Sequence, residues 1–201
     1  MENGSTWNQD ILKARGLTHV VNVFQGIDHT LFKPIRENNL FPDRFTIFSG
    51  GKLEYRKAQD VVIAAFKEFQ ATHNEALLIF AWANQWPLIM LTIANSSLIN
   101  GVPEILEDNQ INYSSWLESN GLSEGSFVDL GAPANREMPY YLASADAAVF
   151  PNRCEAGTNL VAMEAMAVGL PVILSANTGH LDLINDSNCY PLAKQAPVKP
   201  F

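Results

Sequence analysis

Short apolar runs and helix-period segments take turns along most of this chain, and that alternation narrows the folds open to it more than any other feature. A short continuous apolar run suits a strand covered on both faces, whereas apolar residues recurring every three to four positions make one stripe on a helix. Strung together, the two patterns describe a parallel sheet with helices on both faces, a doubly wound α/β domain. Strands are expected at 45–48, 77–82, 127–130, 147–150, 172–174 and 189–190. Between them, Ala58, Val61, Val62, Ala65, Phe66 and Phe69 mark a helix over 59–70. Further helices are expected over 113–120, stopped by Gly121, over 136–144, over 159–168, closed by Gly169, and in a short piece near 181–184. Pro87 opens an apolar segment through Ala94 whose length suits a buried core helix.

The sheet domain spans 43–193. Residues 1–42 are expected to be the tail of an upstream domain and a connector, and 194–201 a truncated C-terminal segment, unless both ends are simply frayed termini. The excess of 21 Asp+Glu over 13 Lys+Arg, a formal charge of -8, argues against a nucleic-acid or anionic-membrane surface. Two cysteines and four histidines without ligand spacing leave no disulfide scaffold or structural zinc site to organise the fold, and no metal is expected. No apolar stretch reaches transmembrane length and the polar start has no secretory core, so the expected compartment is cytoplasmic.

In open parallel sheets, ligands gather beyond the carboxyl ends of the strands, and two segments there stand out. In Ser49-Gly50-Gly51-Lys52-Leu53-Glu54-Tyr55-Arg56-Lys57, three cations fall within six residues of a strand end. That cluster is either an anion site or a solvated loop. Neither a Gly-x-Gly-x-x-Gly fingerprint nor a P-loop is present, which disfavours a nicotinamide enzyme or a P-loop NTPase. The second segment runs from Asn152 to Ile173. From Ala156 onward Glu164 is its only charged residue, so its carboxylate faces water, meets a partner or awaits a ligand. Gly157, Leu160 and Glu164 share one helix face, with Gly157 about 10 Å before Glu164 along the axis. Amides of the Gly157-Thr158-Asn159 turn can hold a phosphate at a helix start. A nucleotide sugar has the length to join that turn to Glu164.

The run from Glu155 through Gly169-Leu170-Pro171-Val172-Ile173 resembles the donor-site signature of retaining glycosyltransferases of the glycogen synthase and sucrose synthase type, family four, whose two-domain architecture is called GT-B. Gln25-Gly26-Ile27-Asp28 with Phe32 and Pro34 is similar to the interdomain connector. Gly51-Lys52-Leu53 followed by Lys57 is similar to the family's phosphate-binding segment, and Ser144-Ala145-Asp146 into Phe150-Pro151-Asn152 to the strand before the signature. The resemblance covers about 24–192. It implies a Rossmann-like C-terminal domain that binds a nucleotide-diphosphate sugar, with no cofactor, and an N-terminal acceptor-binding domain elsewhere in the protein. Lys52 and Lys57 would take the diphosphate, the amides of Gly157, Thr158, Asn159 and Leu160 the distal phosphate, and Glu164 the ribose. Ala132, in the loop over 131–138, would meet the base and Glu155 the sugar hydroxyls, with Glu155 and Lys57 the catalytic residues.

Two departures stand out. Eight residues separate Glu155 from Glu164 where the signature has seven, which puts the role of Glu155 in question, and Lys52 replaces an arginine. Three other readings stay open: a nucleotide- or phosphate-binding module without transferase activity, a non-hydrolysing sugar-nucleotide epimerase, and an interaction domain that has lost its ligand. Arg153 either pairs with Glu155 or contacts a ligand directly. His180 is expected at the surface or a helix start rather than against a sugar, and Cys154 as a packed thiol.

Overall fold

A computed structural model of the protein describes residues 2–35, 39–107 and 110–198. At the N-terminus, β1 (Glu2–Asn3) and β2 (Val21–Asn22) pair in parallel around α1 (Thr6–Ala14). The main run follows with β3 (Phe45–Gly50), α2 (Gln59–Gln70), β4 (Ala76–Ala81) and α3 (Pro87–Met90). A two-stranded antiparallel ribbon, β5 (Glu104–Ile105) with β6 (Ile111–Asn112), leads into α4 (Tyr113–Ser119) and β7 (Phe127–Asp129). The chain continues through α5 (Met138–Ala143), β8 (Ala147–Phe150), α6 (Leu160–Ala167), β9 (Val172–Ser175), a 3₁₀ turn at Thr178–Asp182, and β10 (Tyr190–Leu192).

Six of these strands form one parallel sheet in the order β10-β9-β8-β3-β4-β7. The fold is the Rossmann-like α/β arrangement that the alternating pattern implies. Strand β4 shows why such runs are apolar throughout. Leu78 and Phe80 pack on one face with Val62, Ile63, Phe66 and Leu117. Leu77 and Ile79 pack on the other with Leu142, Ala162 and Leu174. With both faces covered, Ala76 through Phe80 are all buried, and only Ala81 at the carboxyl end of the strand is partly exposed.

The segment opened by Pro87 departs from the expected core helix. After α3 it tightens into a 3₁₀ turn at Leu91–Asn95, and over 88–94 only Met90 and Ile93 reach the core while Leu88 is 80% exposed. Side-chain bonds compete with the helical ladder here: Thr92 donates to the Ile89 carbonyl (2.6 Å) and Asn95 to the Thr92 carbonyl (3.0 Å). The short helix expected near 181–184 is the 3₁₀ turn at Thr178–Asp182, and the last strand is β10, one residue later than expected.

The N-terminal segment meets the sheet domain through α1 and its cap, which pack against the Thr178–Asp182 turn. Ser5 is fully buried: its hydroxyl accepts the Asn8 amide proton as the cap of α1 and donates to the Ala156 carbonyl at 2.6 Å. The Thr6 amide donates to Asp182 at 2.6 Å. Positions 1, 36–38 and 199–201 of the two segments expected outside the sheet domain lie outside the described residues.

Candidate functional site

With the six sheet strands counted along the chain from β3 as the first to β10 as the sixth, their order is 3-2-1-4-5-6, and the direction of winding reverses between β3 and β8. Loops leaving the carboxyl ends of these two neighbours diverge to opposite faces and leave a crevice between them. The loops over 51–58 and 151–159, the two segments singled out in the sequence, therefore face each other. Close approach makes the junction tight: a Cβ on Gly50 would lie 2.7 Å from the Val161 side chain.

The first loop is held from below. Gln59, buried at the start of α2, donates to the carbonyls of Gly51 (3.2 Å) and Lys52 (2.8 Å) and accepts the Glu54 amide proton (3.3 Å). A 3₁₀ turn at Tyr55–Lys57 then carries Arg56 and Lys57 toward the second loop, and Ala58 ends it in the left-handed region at φ 61°. In the second loop Asn159 takes φ 67° and starts α6, so the first amides of that helix face the crevice before any intrahelical partner is available.

His180 supports this turn from behind. It is wholly buried, with Nδ1 3.1 Å from the Ser175 carbonyl and Nε2 3.0 Å from Asn159 Nδ2. The pattern assigns the proton to Nδ1, leaving Nε2 to accept from Asn159. Burial pushes its pKa down to about 4 despite the opposing charge of Glu155. Of the two expectations for His180, a surface or a helix start, the second holds: it is the third residue of the 3₁₀ turn at Thr178–Asp182, and its ring is buried rather than at the surface.

A cleft of about 570 Å³ opens between the loops. Eight of the nine expected site residues line it: Lys52, Lys57, Ala132, Glu155, Gly157, Asn159, Leu160 and Glu164. Thr158 is the exception. Its side chain is buried and its hydroxyl donates to the Met163 sulfur at 3.2 Å, so only its backbone is left for the cleft. Glu164 is half-buried, and burial raises its pKa against a hydrogen bond from Asn135 in the facing loop. Gln25, Arg56 and Met138 also line the cleft and were not assigned from sequence. Arg56 carried a signal, its place in the cation cluster. Gln25 and Met138 lie in segments that the sequence singles out, the connector motif and the loop over 131–138, but nothing in a single sequence shows that these two side chains reach the cleft.

The electrostatics of the cleft differ from the sequence count of three cations. Glu155 is 5% exposed, and its Oε1 accepts from Lys57 and from Asn152 (2.5 Å) while Oε2 accepts from Arg56 (3.1 Å). Arg56 also pairs with Glu54 at 2.6 Å. Burial alone would raise the Glu155 pKa, but Lys57 and Arg56 hold it below the usual carboxylate value. Burial likewise lowers the Lys57 pKa, with Glu155 opposing. Lys52 makes no ion pair among the described residues and lies over the Trp86 ring, 4.2 Å from its centroid.

Arg153 does not pair with Glu155. It forms a two-pronged bond with Asp60 (2.7 and 2.6 Å) and stacks 3.8 Å over Tyr55, and Arg56 takes the place expected for it. The Cys154 thiol forms no disulfide, and its carbonyl accepts from Arg56 at 2.8 Å. Among the described residues, no group of three or more His, Cys, Asp or Glu is arranged to hold a metal, and no helix is long and apolar enough to cross a membrane.

Solved structures with the same fold include HepE from Anabaena in complex with UDP and glucose, at 17% identity and a TM-score of 0.71 over 94% of this chain and 48% of that one. Sucrose-phosphate synthase from Thermosynechococcus elongatus is similar at 18% identity and a TM-score of 0.71, over 97% of this chain and 45% of that one. The C-terminal domain of LpcC, a glycosyl transferase group 1 family protein from Francisella tularensis, matches at 19% identity and a TM-score of 0.60, over 83% and 80% of the two chains. The chain spans about half the length of the first two. At these identities the likeness is one of fold. Among curated proteins no match is found. The sequence itself matches the family described as glycosyl transferases group 1 over residues 32–195, most of its length, and the chain belongs to that family.

Proposed function

We propose that this chain binds the nucleotide-diphosphate sugar donor of a retaining glycosyl transfer of the family-four type. The observation that carries the reading is the convergence of Lys52, Lys57, the start of α6 and Glu164 on one cleft at the point where the sheet reverses its winding. In this reading Lys52 and Lys57 meet the diphosphate, and the amides of Gly157, Thr158, Asn159 and Leu160 meet its distal phosphate. Glu164 binds the ribose hydroxyls, Ala132 borders the base, and Glu155 faces the transferred sugar. The fold shared with HepE, captured with UDP and glucose, supports the assignment.

Transfer breaks the bond between the anomeric carbon and the distal phosphate oxygen, and the electron pair leaves with the nucleoside diphosphate. Lysine charge and helix-terminal amides, fixed beforehand, stabilise that departing charge more than they stabilise the bound donor. In a retaining reaction the leaving phosphate takes the acceptor proton, and the new bond forms on the face just vacated. We assign the acceptor site to an opposing domain, in keeping with the half-length match to HepE.

Nucleoside diphosphates are therefore expected to protect the protein against thermal unfolding. Saturation to 100 times Kd adds about 2.7 kcal/mol to stability. Glu164→Ala and Lys57→Ala should each reduce the shift measured by differential scanning fluorimetry at fixed ligand concentration. If no nucleotide or nucleotide sugar shifts the wild type, or if both variants keep the full shift, the reading is wrong.

A further inference from the structure

We propose that Glu155 is a specificity-determining residue that competes with the diphosphate for Lys57 and Arg56, so that the cleft holds an intact donor in preference to the free nucleoside diphosphate. The proposal rests on the donor-site reading above and adds to it a role that the sugar-hydroxyl assignment does not contain.

Both cations are already committed. Glu155 accepts from Lys57 and Asn152 on one oxygen and from Arg56 on the other, and Glu54 holds the second arm of Arg56. Two carboxylates thus face two cations, and the cluster is neutral as it stands. Glu155 also has little freedom to withdraw. Its amide donates to the Thr178 hydroxyl at 2.7 Å and its carbonyl accepts from the Gly179 amide at 2.9 Å. Gly179 is itself wedged in place: a Cβ there would come within 1.7 Å of the Gly157 carbonyl oxygen. When a phosphate draws Lys57 away, the Glu155 carboxylate stays behind, buried and short of a partner. That is a costly arrangement unless another donor replaces the lysine.

An intact donor and a free diphosphate differ at this point. The sugar of the donor brings hydroxyl protons to Glu155 and caps the distal phosphate, removing one negative charge beside the carboxylate. Free nucleoside diphosphate brings no hydroxyl to that place and carries the extra charge, so it meets the carboxylate by repulsion. Bond cleavage turns the first ligand into the second, and Glu155 thereby favours release of the spent nucleotide.

Calorimetric titration of the full chain tests this, using whichever of UDP, ADP and GDP binds best together with its glucose ester. Glu155→Gln is expected to bind the nucleoside diphosphate at least tenfold more tightly than wild type, with a smaller gain for the glucose ester, so that the preference for the ester shrinks. A residue that only supports the fold would weaken both ligands together. Glu155→Asp, which keeps the charge but withdraws it by one methylene, provides the same test if the glutamine variant does not fold, with about a threefold gain expected for the diphosphate. Unchanged or weaker diphosphate binding by the folded variants, beside a wild type that binds, overturns this inference alone. A wild type that binds neither ligand overturns the donor-site reading and the inference with it.

Discussion

Arg153→Ala is expected to destabilise the protein by about 3–5 kcal/mol, the range for removing one partner of a buried ion pair. Asp60 is fully buried in the first turn of α2 and receives both arms of the Arg153 guanidinium plus the Ser96 hydroxyl at 2.6 Å. Without the arginine, the Ser96 hydroxyl is the one side-chain donor left to the carboxylate among the described residues. The same side chain donates to the Tyr55 carbonyl at 2.7 Å and covers the Tyr55 ring, so its loss also loosens the 3₁₀ turn that presents Arg56 and Lys57. For a domain of this size the expected fall in Tm is roughly 10 °C. Replacing both Asp60 and Arg153 with apolar residues should recover part of it, because the penalty is the unpaired charge rather than the loss of attraction. A single-variant loss below about 1 kcal/mol in urea denaturation would show that the pair is not the staple described.

Acidification should cost the fold about 3 kcal/mol between pH 6.5 and pH 4 through His180 alone. Its folded pKa, about 4, lies below the ordinary value of 6.5. The unfolded chain therefore takes up a proton across this window that the folded chain refuses. Stability is fully present above pH 6.5 and is lost as the pH falls through the folded value. The loss is felt at the cleft, since a protonated Nε2 would face the Asn159 amide donor that it now accepts from. His180→Gln should start lower at pH 7 but lose about 3 kcal/mol less than wild type by pH 4. Parallel stability curves for the two proteins would refute the assignment of a buried neutral imidazole.

How much of this was legible beforehand follows from the range of each interaction. The strand at 45–48, which the structure extends to Gly50, and the helix at 59–70 are written in local periodicity, since burial on one face or two dictates the spacing of apolar residues. Lys52, Lys57, Gly157 and Glu164 were legible as well, because strand-end loops of one domain type converge at one place. The segment after Pro87 was misread because apolar residues such as Leu88 stand at the surface, and composition does not distinguish them from core. Ion-pair partners were illegible for a different reason. Arg56 and Arg153 both lie near Glu155 once the loops meet, and which one pairs with it depends on the path of the 3₁₀ turn at Tyr55–Lys57. The helix-start position of His180 was legible but its burial was not, because a polar residue after a strand normally begins a solvated loop, whereas here the 3₁₀ turn that carries it closes back against Glu155.

The proposed donor site requires a nucleoside diphosphate to lie between the loop over 51–58 and the start of α6. Backbone amide NMR during titration of the protein with UDP, ADP or GDP tests it most directly. The largest shifts are expected at Lys52, Lys57, Gly157, Thr158, Asn159 and Leu160, with Ala132 moving when a base is present and staying still with inorganic pyrophosphate. Shifts concentrated away from that cleft, or none with any of the three nucleotides, would contradict the account.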